Sequence, residues 1–196
     1  MLNMARGLSY YLKNAWKNMP RADMQSRLIK WREGNSVVKV DKPLRLDRAR
    51  ALGYKAKRGF IVLRVRLRRG GRTRTFHKKG RKSGKQTIRK TLKMSYQWVA
   101  EIRAGKKHSN LEVLNSYNIG KDGKYYFFEV IMVDPNAPEI KNDRTMKWIA
   151  SGTHRGRAER GLTSAGKKSR GFGGKSGKSP TKKVRPSLRA WNRRGK

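Results

Sequence analysis

Residues 111–135, LEVLNSYNIGKDGKYYFFEVIMVDP, constrain the fold more than any other stretch of the chain. Two runs of strand-forming residues flank Asp122-Gly123, and an Asp-Gly pair in that position is a strong hairpin signal. A two-residue turn would place Lys121 opposite Lys124. This pairing predicts that four residue pairs share one face, which is nearly all apolar. The pairs are Ile119–Tyr126, Tyr117–Phe128, Asn115–Val130 and Val113–Met132. Because the other face is mixed, we expect the second strand to be covered on both sides.

Outside this hairpin, the high positive charge limits which parts of the chain can form a compact domain. The chain has 52 Lys and Arg against 12 Asp and Glu, a net charge of +40. Residues 48–100 carry nineteen basic and no acidic residues, whereas residues 101–150 are almost neutral. The apolar content of 35% is below the roughly 45–50% of globular domains. We therefore predict a globular domain over residues 1–150, with a basic loop near 70–90, and an extended basic tail over residues 151–196.

Helical spacing of apolar residues predicts helices over residues 8–16, 20–32 and 92–104, and Asp47 could cap a short helix over 48–52. Gly34, Gly53 and Gly105 stand where left-handed residues would end three of these helices. A short strand is expected over residues 37–40. The chain has no cysteine and no apolar run near the roughly 20 residues of a membrane span. Its N-terminus lacks the apolar stretch of a signal peptide, and nothing suggests secretion.

Residues 60–72, FIVLRVRLRRGGR, predict a strand with two chemically different faces. Leucine, valine and isoleucine alternate with Arg64, Arg66 and Arg68. Three arginines in register, without an acid nearby, favour a surface that faces phosphate.

The candidate RNA-binding residues are the Lys and Arg of this strand, of the loop near 70–90 and of the tail. In the first two they are Arg58, Arg64, Arg66, Arg68, Arg69, Arg72, Arg74, Lys78, Lys79, Arg81, Lys82 and Lys85. In the tail they are Arg155, Arg157, Lys182, Lys183, Arg193 and Arg194. Glycines among them would let the backbone approach a sugar-phosphate surface, and nearby aromatic rings could stack on unpaired bases.

Signals for catalysis are weak. His77, His108 and His154 are isolated, and the acids show no compelling catalytic spacing. GFGGKSGKS, residues 171–179, ends like a phosphate-binding loop, but the first glycine that such a loop requires is Phe172. No strand is predicted before it. An RNA-modifying or nucleotide-using enzyme would need a pocket and a reactive centre that the sequence does not reveal.

The charge calls instead for a polyanionic partner: nucleic acid, an acidic membrane surface or an acidic protein. Its dispersal over strand, loop and tail favours many phosphate contacts over one helix in a DNA groove, and zinc-finger or zipper motifs are lacking. Two binding functions remain: a structural RNA-binding protein, or a chromosomal protein that compacts DNA of any sequence.

Five stretches, in this order, resemble the archaeal and eukaryotic large-subunit ribosomal protein family "L fifteen e". They are ARGLSYYLKNAWKN (5–18), LDRARALGYKAKRGFIVLRVRLRRGGR (46–72), LEVLNSY (111–117), FFEVIMVDP (127–135) and RGLTSAGKKSRG (160–171). The second and last stretches are long enough to be specific, and the short tail is similar to archaeal members.

The resemblance implies an α+β fold, a small three-layer α/β/α domain with a mostly antiparallel four-stranded sheet, plus long basic extensions. It implies a cytoplasmic structural constituent of the large ribosomal subunit, not an enzyme. The expected partners are large-subunit (23S-type) ribosomal RNA and neighbouring large-subunit proteins, with no cofactor, metal, membrane or small-molecule substrate. The resemblance also places the last stretch against RNA, which adds Arg160, Lys167, Lys168 and Arg170 to the candidate residues.

Overall fold

The computed structural model describes residues 6–73, 89–90 and 92–172, with only the backbone given at 72–73 and 89–90. The helices are α1 (Leu8–Lys17), α2 (Arg21–Glu33), α3 (Leu46–Ala51), α4 (Tyr96–Lys107), α5 (Pro138–Lys141) and α6 (Ser164–Ser169). The strands are β1 (Val37–Val40), β2 (Phe60–Arg68), β3 (Arg72–Thr73), β4 (Arg89–Lys90), β5 (Glu112–Lys121) and β6 (Tyr125–Val133). Short 3-10 helices cover Lys147–Ala150 and Gly152–His154.

Four of the strands form one antiparallel sheet in the order β1-β2-β6-β5. β2 and β6 pair without interruption from Phe60 opposite Val133 to Arg68 opposite Tyr125. Because β6 lies at the centre, its residues 127–133 are all buried, as predicted for a strand covered on both sides. The predicted α+β fold with an antiparallel four-stranded sheet is confirmed.

Two apolar clusters, one on each face of the sheet, form the core. On the first face Leu63, Val130 and Met132 pack with Ala100 and Ala104 of α4. On the second face Phe127 and Ile131 of β6 pack with residues of α2, α3, α5 and the 3-10 helix, namely Trp31, Ala49, Ile140 and Ile149. Helices thus cover both faces of the sheet, which gives three layers.

The hairpin forms, but its predicted register is wrong over most of its length. Of the four predicted pairs only Val113–Met132 forms, because the register of β5 shifts between Val113 and Asn115 and again between Asn118 and Gly120. Each irregularity displaces the strand by about one residue, and a one-residue displacement reverses the face to which side chains point. Tyr117 consequently joins the cluster on the second face, whereas Phe128 packs on the first.

Helix positions agree with the prediction better than helix ends do. Gly34 follows α2 with extended backbone, φ −74° and ψ −179°, and not as a left-handed cap. Gly105 lies within α4, which continues to Lys107. α4 starts later than predicted because Ser95 caps it, its Oγ accepting a hydrogen bond from the Trp98 amide at 3.2 Å. Asp47 lies inside the first turn of α3 and does not cap it, whereas Gly53 is left-handed as predicted, at φ +97°.

The packed part of the chain extends beyond Ala150. The predicted basic tail begins at Ser151, but residues 151–172 pack on the domain, and α6 contacts α4 and β5. Ala158, Thr163 and Ala165 are buried there. Residues 173–196 lie outside the described residues, and so does most of the predicted loop near 70–90. At the two ends of that loop, the short strands β3 and β4 pair with each other.

Candidate nucleic-acid interface

β2 has the apolar face and the arginine face that its sequence predicts. Leu63, Val65 and Leu67 are buried, whereas Arg64 and Arg66 are half-buried and Arg68 is exposed.

Aromatic rings partly cover this arginine face. The guanidinium carbon of Arg64 lies 5.1 Å from the ring centre of Trp31, and that of Arg66 lies 4.9 Å from the ring centre of Tyr125. Arg66 also donates a hydrogen bond to the backbone carbonyl of Arg32. Cation–π stacking of this kind holds a guanidinium in place while leaving its edge free to donate.

Arg64 also has a buried acidic neighbour. It stands directly opposite Glu129, whose carboxylate accepts hydrogen bonds from the Tyr117 hydroxyl and from the Leu44 amide, the latter at 3.1 and 3.2 Å. Burial raises the pKa of Glu129, and hydrogen bonds and the charge of Arg64 act against that rise. Burial lowers the pKa of Arg64, and the charge of Glu129 opposes this change. Arg64 therefore compensates a charge inside the domain as well as facing its surface.

Exposed cations meet at the far end of the same strand. The Arg69 amide donates to the Lys124 carbonyl at 2.8 Å, and the Arg69 side chain donates to the Asp122 carbonyl at 2.7 Å. These bonds fasten the end of β2 to the β5–β6 turn. Arg68, Arg69, Lys121 and Lys124, all exposed, form a surface that we name the basic end of the sheet. The two lysines were absent from the sequence-based candidates, although their positions beside Asp122-Gly123 could have identified them.

Arg157, a candidate from the predicted tail, is held inside the domain. Its Nη1 donates to the carbonyls of Val113 and Leu114 at 2.6 and 2.7 Å, and its guanidinium lies 5.0 Å from the ring centre of Trp148. Burial lowers the pKa of Arg157, while the charges of nearby glutamates oppose the change. These contacts attach the segment after Ala150 to β5 and give Arg157 a structural role.

Arg170 is held in the same way. Its side chain is buried, Nη1 donates to the Gly161 carbonyl at 3.0 Å, and the guanidinium lies 4.8 Å from the ring centre of Phe172. Burial lowers the pKa of Arg170. Beside it, the indole nitrogen of Trp98 donates to the Ala158 carbonyl at 2.6 Å. Arg170 thus fastens the end of α6 to the loop that precedes the helix.

A buried glutamate of α4 secures the other end of α6. Glu101 accepts hydrogen bonds from the hydroxyls of Thr163 and Ser116, each at 2.5 Å. Thr163 in turn caps α6, its Oγ1 accepting from the Gly166 amide at 3.1 Å. Burial raises the pKa of Glu101, and the two hydroxyl bonds act against that rise. The polar side chains of this segment that point inward therefore fix α6 on α4.

Of the remaining candidate RNA-binding residues, some are exposed and others lie outside the described residues. Arg58, Arg155, Arg160, Lys167 and Lys168 are exposed. Arg160 donates to the carbonyls of Arg155 and Thr153 at 3.1 and 2.5 Å, which fixes its direction. Arg72 is described only in its backbone. Outside the described residues lie Arg74, Lys78, Lys79, Arg81, Lys82, Lys85, Lys182, Lys183, Arg193 and Arg194.

The acidic side chains are used mainly within the protein. At least seven of the twelve accept hydrogen bonds from other groups of the domain: Asp47, Glu101, Glu112, Asp122, Glu129, Asp134 and Asp143. Asp143, for example, receives Lys55 at 2.9 Å and Lys57 at 2.5 Å, and these bonds lower the pKa of its carboxyl. Few carboxylates are left to neutralise the exposed Lys and Arg, so the outer surface is strongly positive.

Two further findings concern the described part of the chain. No group of three His, Asp or Glu side chains stands close enough there to hold a metal ion. None of its helices combines the length and the apolar character needed to cross a lipid bilayer.

Comparison with known proteins agrees with this picture. The family model described as "Ribosomal L15" matches residues 7–191. A protein of Methanocella arvoryzae named large ribosomal subunit protein eL15 is 52% identical, over 98% of this chain and 100% of its own length. Proteins of the same name from Methanospirillum hungatei and Picrophilus torridus are 48% and 46% identical, over 98% and 91% of this chain and 100% and 93% of theirs. On this evidence, the chain belongs to the eL15 family of ribosomal proteins.

Proposed function

We propose that the protein is a structural constituent of the large ribosomal subunit in the cytoplasm. It binds and stabilises folded large-subunit ribosomal RNA of the 23S type through dispersed Lys and Arg contacts to phosphate, and it adjoins other large-subunit proteins. The names of its archaeal relatives support the ribosomal assignment. Its activity is binding and not catalysis, so it needs no cofactor and no small-molecule substrate.

The observation that carries the proposal is the separation of charge between inside and outside. The acids accept hydrogen bonds within the domain, whereas cations occupy the basic end of the sheet and the outer side of α6, where Lys167 and Lys168 are exposed. Each phosphate neutralised by such a side chain releases a condensed counterion, and this release supplies much of the affinity. RNA phosphates would also relieve the repulsion among the cations themselves.

The folded domain also fixes the direction in which some of these cationic side chains point. Arg66 and Arg69 hold fixed directions because aromatic rings stack on them and backbone carbonyls accept from them. A guanidinium that is already oriented loses less side-chain entropy when it binds phosphate. α6 likewise presents its lysines from a segment that Glu101 and Arg170 hold against the domain. Cations placed in this way favour one folded RNA surface over an arbitrary polyanion.

Competition binding tests the proposal against the chromosomal alternative. Full-length protein is titrated with labelled, deproteinised large-subunit RNA in the presence of competitor duplex DNA at equal phosphate concentration. We expect RNA to be retained, and native protein to sediment with the large subunit through a high-salt wash. Equal competition by duplex DNA, together with loss from the subunit in that wash, would refute the assignment and favour a DNA-compacting protein.

A further inference from the structure

The outer side of α1 is a surface without a partner in the described part of the chain. The exposed fractions of Leu8 and Tyr11 are 60% and 59%, and that of Tyr10 is 39%. None of the side chains of α1 is buried. Only the inner side of the helix packs: Trp16 lies half-buried against the second-face cluster, with the guanidinium of Arg45 5.1 Å from its ring centre. The helix thus keeps aromatic and apolar groups in solvent, where they gain nothing for folding.

Charge on and beside α1 indicates what covers this surface. Arg6, Lys13, Lys17 and Arg21 lie between residues 6 and 22, and the first acid in the chain is Asp23. A basic protein would be repelled by this stretch, whereas a polyanion would be attracted.

The arrangement of the rings is suited to nucleotide bases. The guanidinium carbon of Arg6 lies 4.2 Å from the ring centre of Tyr10, and the rings of Tyr10 and Tyr11 meet edge to face at 5.6 Å. Exposed tyrosines among cations are the combination with which proteins stack unpaired bases while holding the adjoining phosphates.

The position of α1 separates it from the exposed lysines of α6. α1 packs on α3, whose Ala49 belongs to the second-face cluster, whereas α6 packs on α4, which covers the first face. The two surfaces therefore lie on opposite sides of the sheet.

We propose that the outer side of α1 is a separate RNA-binding surface, on which Tyr10 and Tyr11 stack on unpaired bases of the ribosomal RNA and Lys13 and Lys17 neutralise neighbouring phosphates. This inference rests on the proposed function. It adds that the protein joins two RNA segments, one on each side of the sheet, and that one of them is unpaired where it meets α1.

The test compares two double variants of the full-length protein. Y10L/Y11L keeps apolar side chains but removes both rings, whereas Y10F/Y11F keeps the rings and removes only the hydroxyls. Both rings are exposed, so neither variant should change the thermal unfolding midpoint. We expect Y10L/Y11L to lose affinity for deproteinised large-subunit RNA by on the order of tenfold or more, because base stacking contributes strongly per ring. Y10F/Y11F should restore the affinity. The salt dependence should stay the same in both, since no charge changes.

A second measurement places the contact. Ultraviolet irradiation of native large subunits, followed by mass spectrometry, should yield a nucleotide cross-linked to the peptide that contains Tyr10 and Tyr11. The proposal is refuted when Y10L/Y11L binds the RNA as tightly as the unmodified protein. It is also refuted when the variant keeps that affinity but fails to enter subunits assembled with all their proteins, since α1 would then bind a protein. Failure of the unmodified protein to prefer ribosomal RNA over duplex DNA would instead remove the proposed function itself.

Discussion

Replacing Gly161 with alanine should show how tightly the segment containing α6 is built into the domain. Gly161 has a φ of +68°, and a methyl group there would lie 2.8 Å from Cδ of Arg170 and 2.9 Å from Cζ2 of Trp98. Gly156, five residues earlier, offers a matched control. Its φ is +63°, but nothing lies within 4 Å of the position that a methyl group would take.

The two substitutions share one cost and differ in another. A left-handed conformation costs an alanine about 1–2 kcal/mol relative to glycine, and both variants incur this cost. Overpacking of a filled site costs roughly 1–3 kcal/mol more, and only Gly161→Ala incurs it. We therefore expect Gly156→Ala to lower the free energy of unfolding by about 1–2 kcal/mol and Gly161→Ala by about 2–5 kcal/mol.

Urea unfolding of the full-length protein, followed by tryptophan fluorescence because Trp98 lies beside the substituted position, measures the difference. The linear dependence on urea should keep its slope in both variants, so that a shift in midpoint reports stability alone. Equal losses for the two variants would contradict the packing of Gly161 against Arg170 and Trp98. A Gly161→Ala transition that splits into two steps would show that residues 151–172 unfold apart from the sheet.

Three further predictions concern charge. Burial raises the pKa of Glu101 in the folded protein, so its contribution to stability is greatest below the unfolded pKa of about 4.3 and is lost as pH rises through the raised value. The urea midpoint of the unmodified protein should therefore fall relative to that of Glu101→Gln as the pH rises from about 4.5 to about 7. A difference between the two midpoints that does not change with pH would contradict this. Arg68→Gln should weaken RNA binding and leave the urea midpoint unchanged, because Arg68 is exposed. Arg64→Gln should instead lower the free energy of unfolding by about 1 kcal/mol through lost stacking on Trp31. Identical behaviour of the two variants would contradict this difference in role. Affinity for ribosomal RNA should fall with salt at a log–log slope of about −5 or steeper, and a slope near −1 in filter binding would contradict dispersed phosphate contacts.

The sequence predicts local periodicity well and register poorly. The alternation of β2 is visible because each residue alone shows which face it prefers, and β2 pairs with β6 without a break. β5 contains two irregularities, and the second lies where another element packs closely on the strand. A Cβ at Gly120 would lie 3.2 Å from the Leu28 side chain of α2, so the helix approaches the strand closely at the second irregularity. A contact between residues so distant in sequence leaves no periodic signal.

The candidate interface shows the same limit. Composition and spacing identify a basic surface, but they do not distinguish arginines that face solvent from those that face carbonyls. Arg157, for example, is held by carbonyls of β5 that lie more than forty residues away in the sequence, whereas Arg155 is exposed. One signal of this packing is present in the sequence. Glu101 is an acid on an otherwise apolar helix face, and a buried acid requires hydrogen-bond partners from other parts of the fold.

The anchoring of Arg170 has a consequence for how the rest of the chain meets RNA. The twenty-four residues from Gly173 to Lys196 follow closely after Arg170, whose side chain is buried and bonded to the Gly161 carbonyl. Even fully extended, these residues could span no more than about 86 Å, at roughly 3.6 Å per residue. If the domain docks on RNA as proposed, each cation of this stretch would meet nearby phosphates at a high effective concentration, so that weak individual contacts would add to the avidity. In that case, loosening the contacts of Arg170 would lower this local concentration and slow the binding of residues 173–196, even if every one of their lysines and arginines were kept.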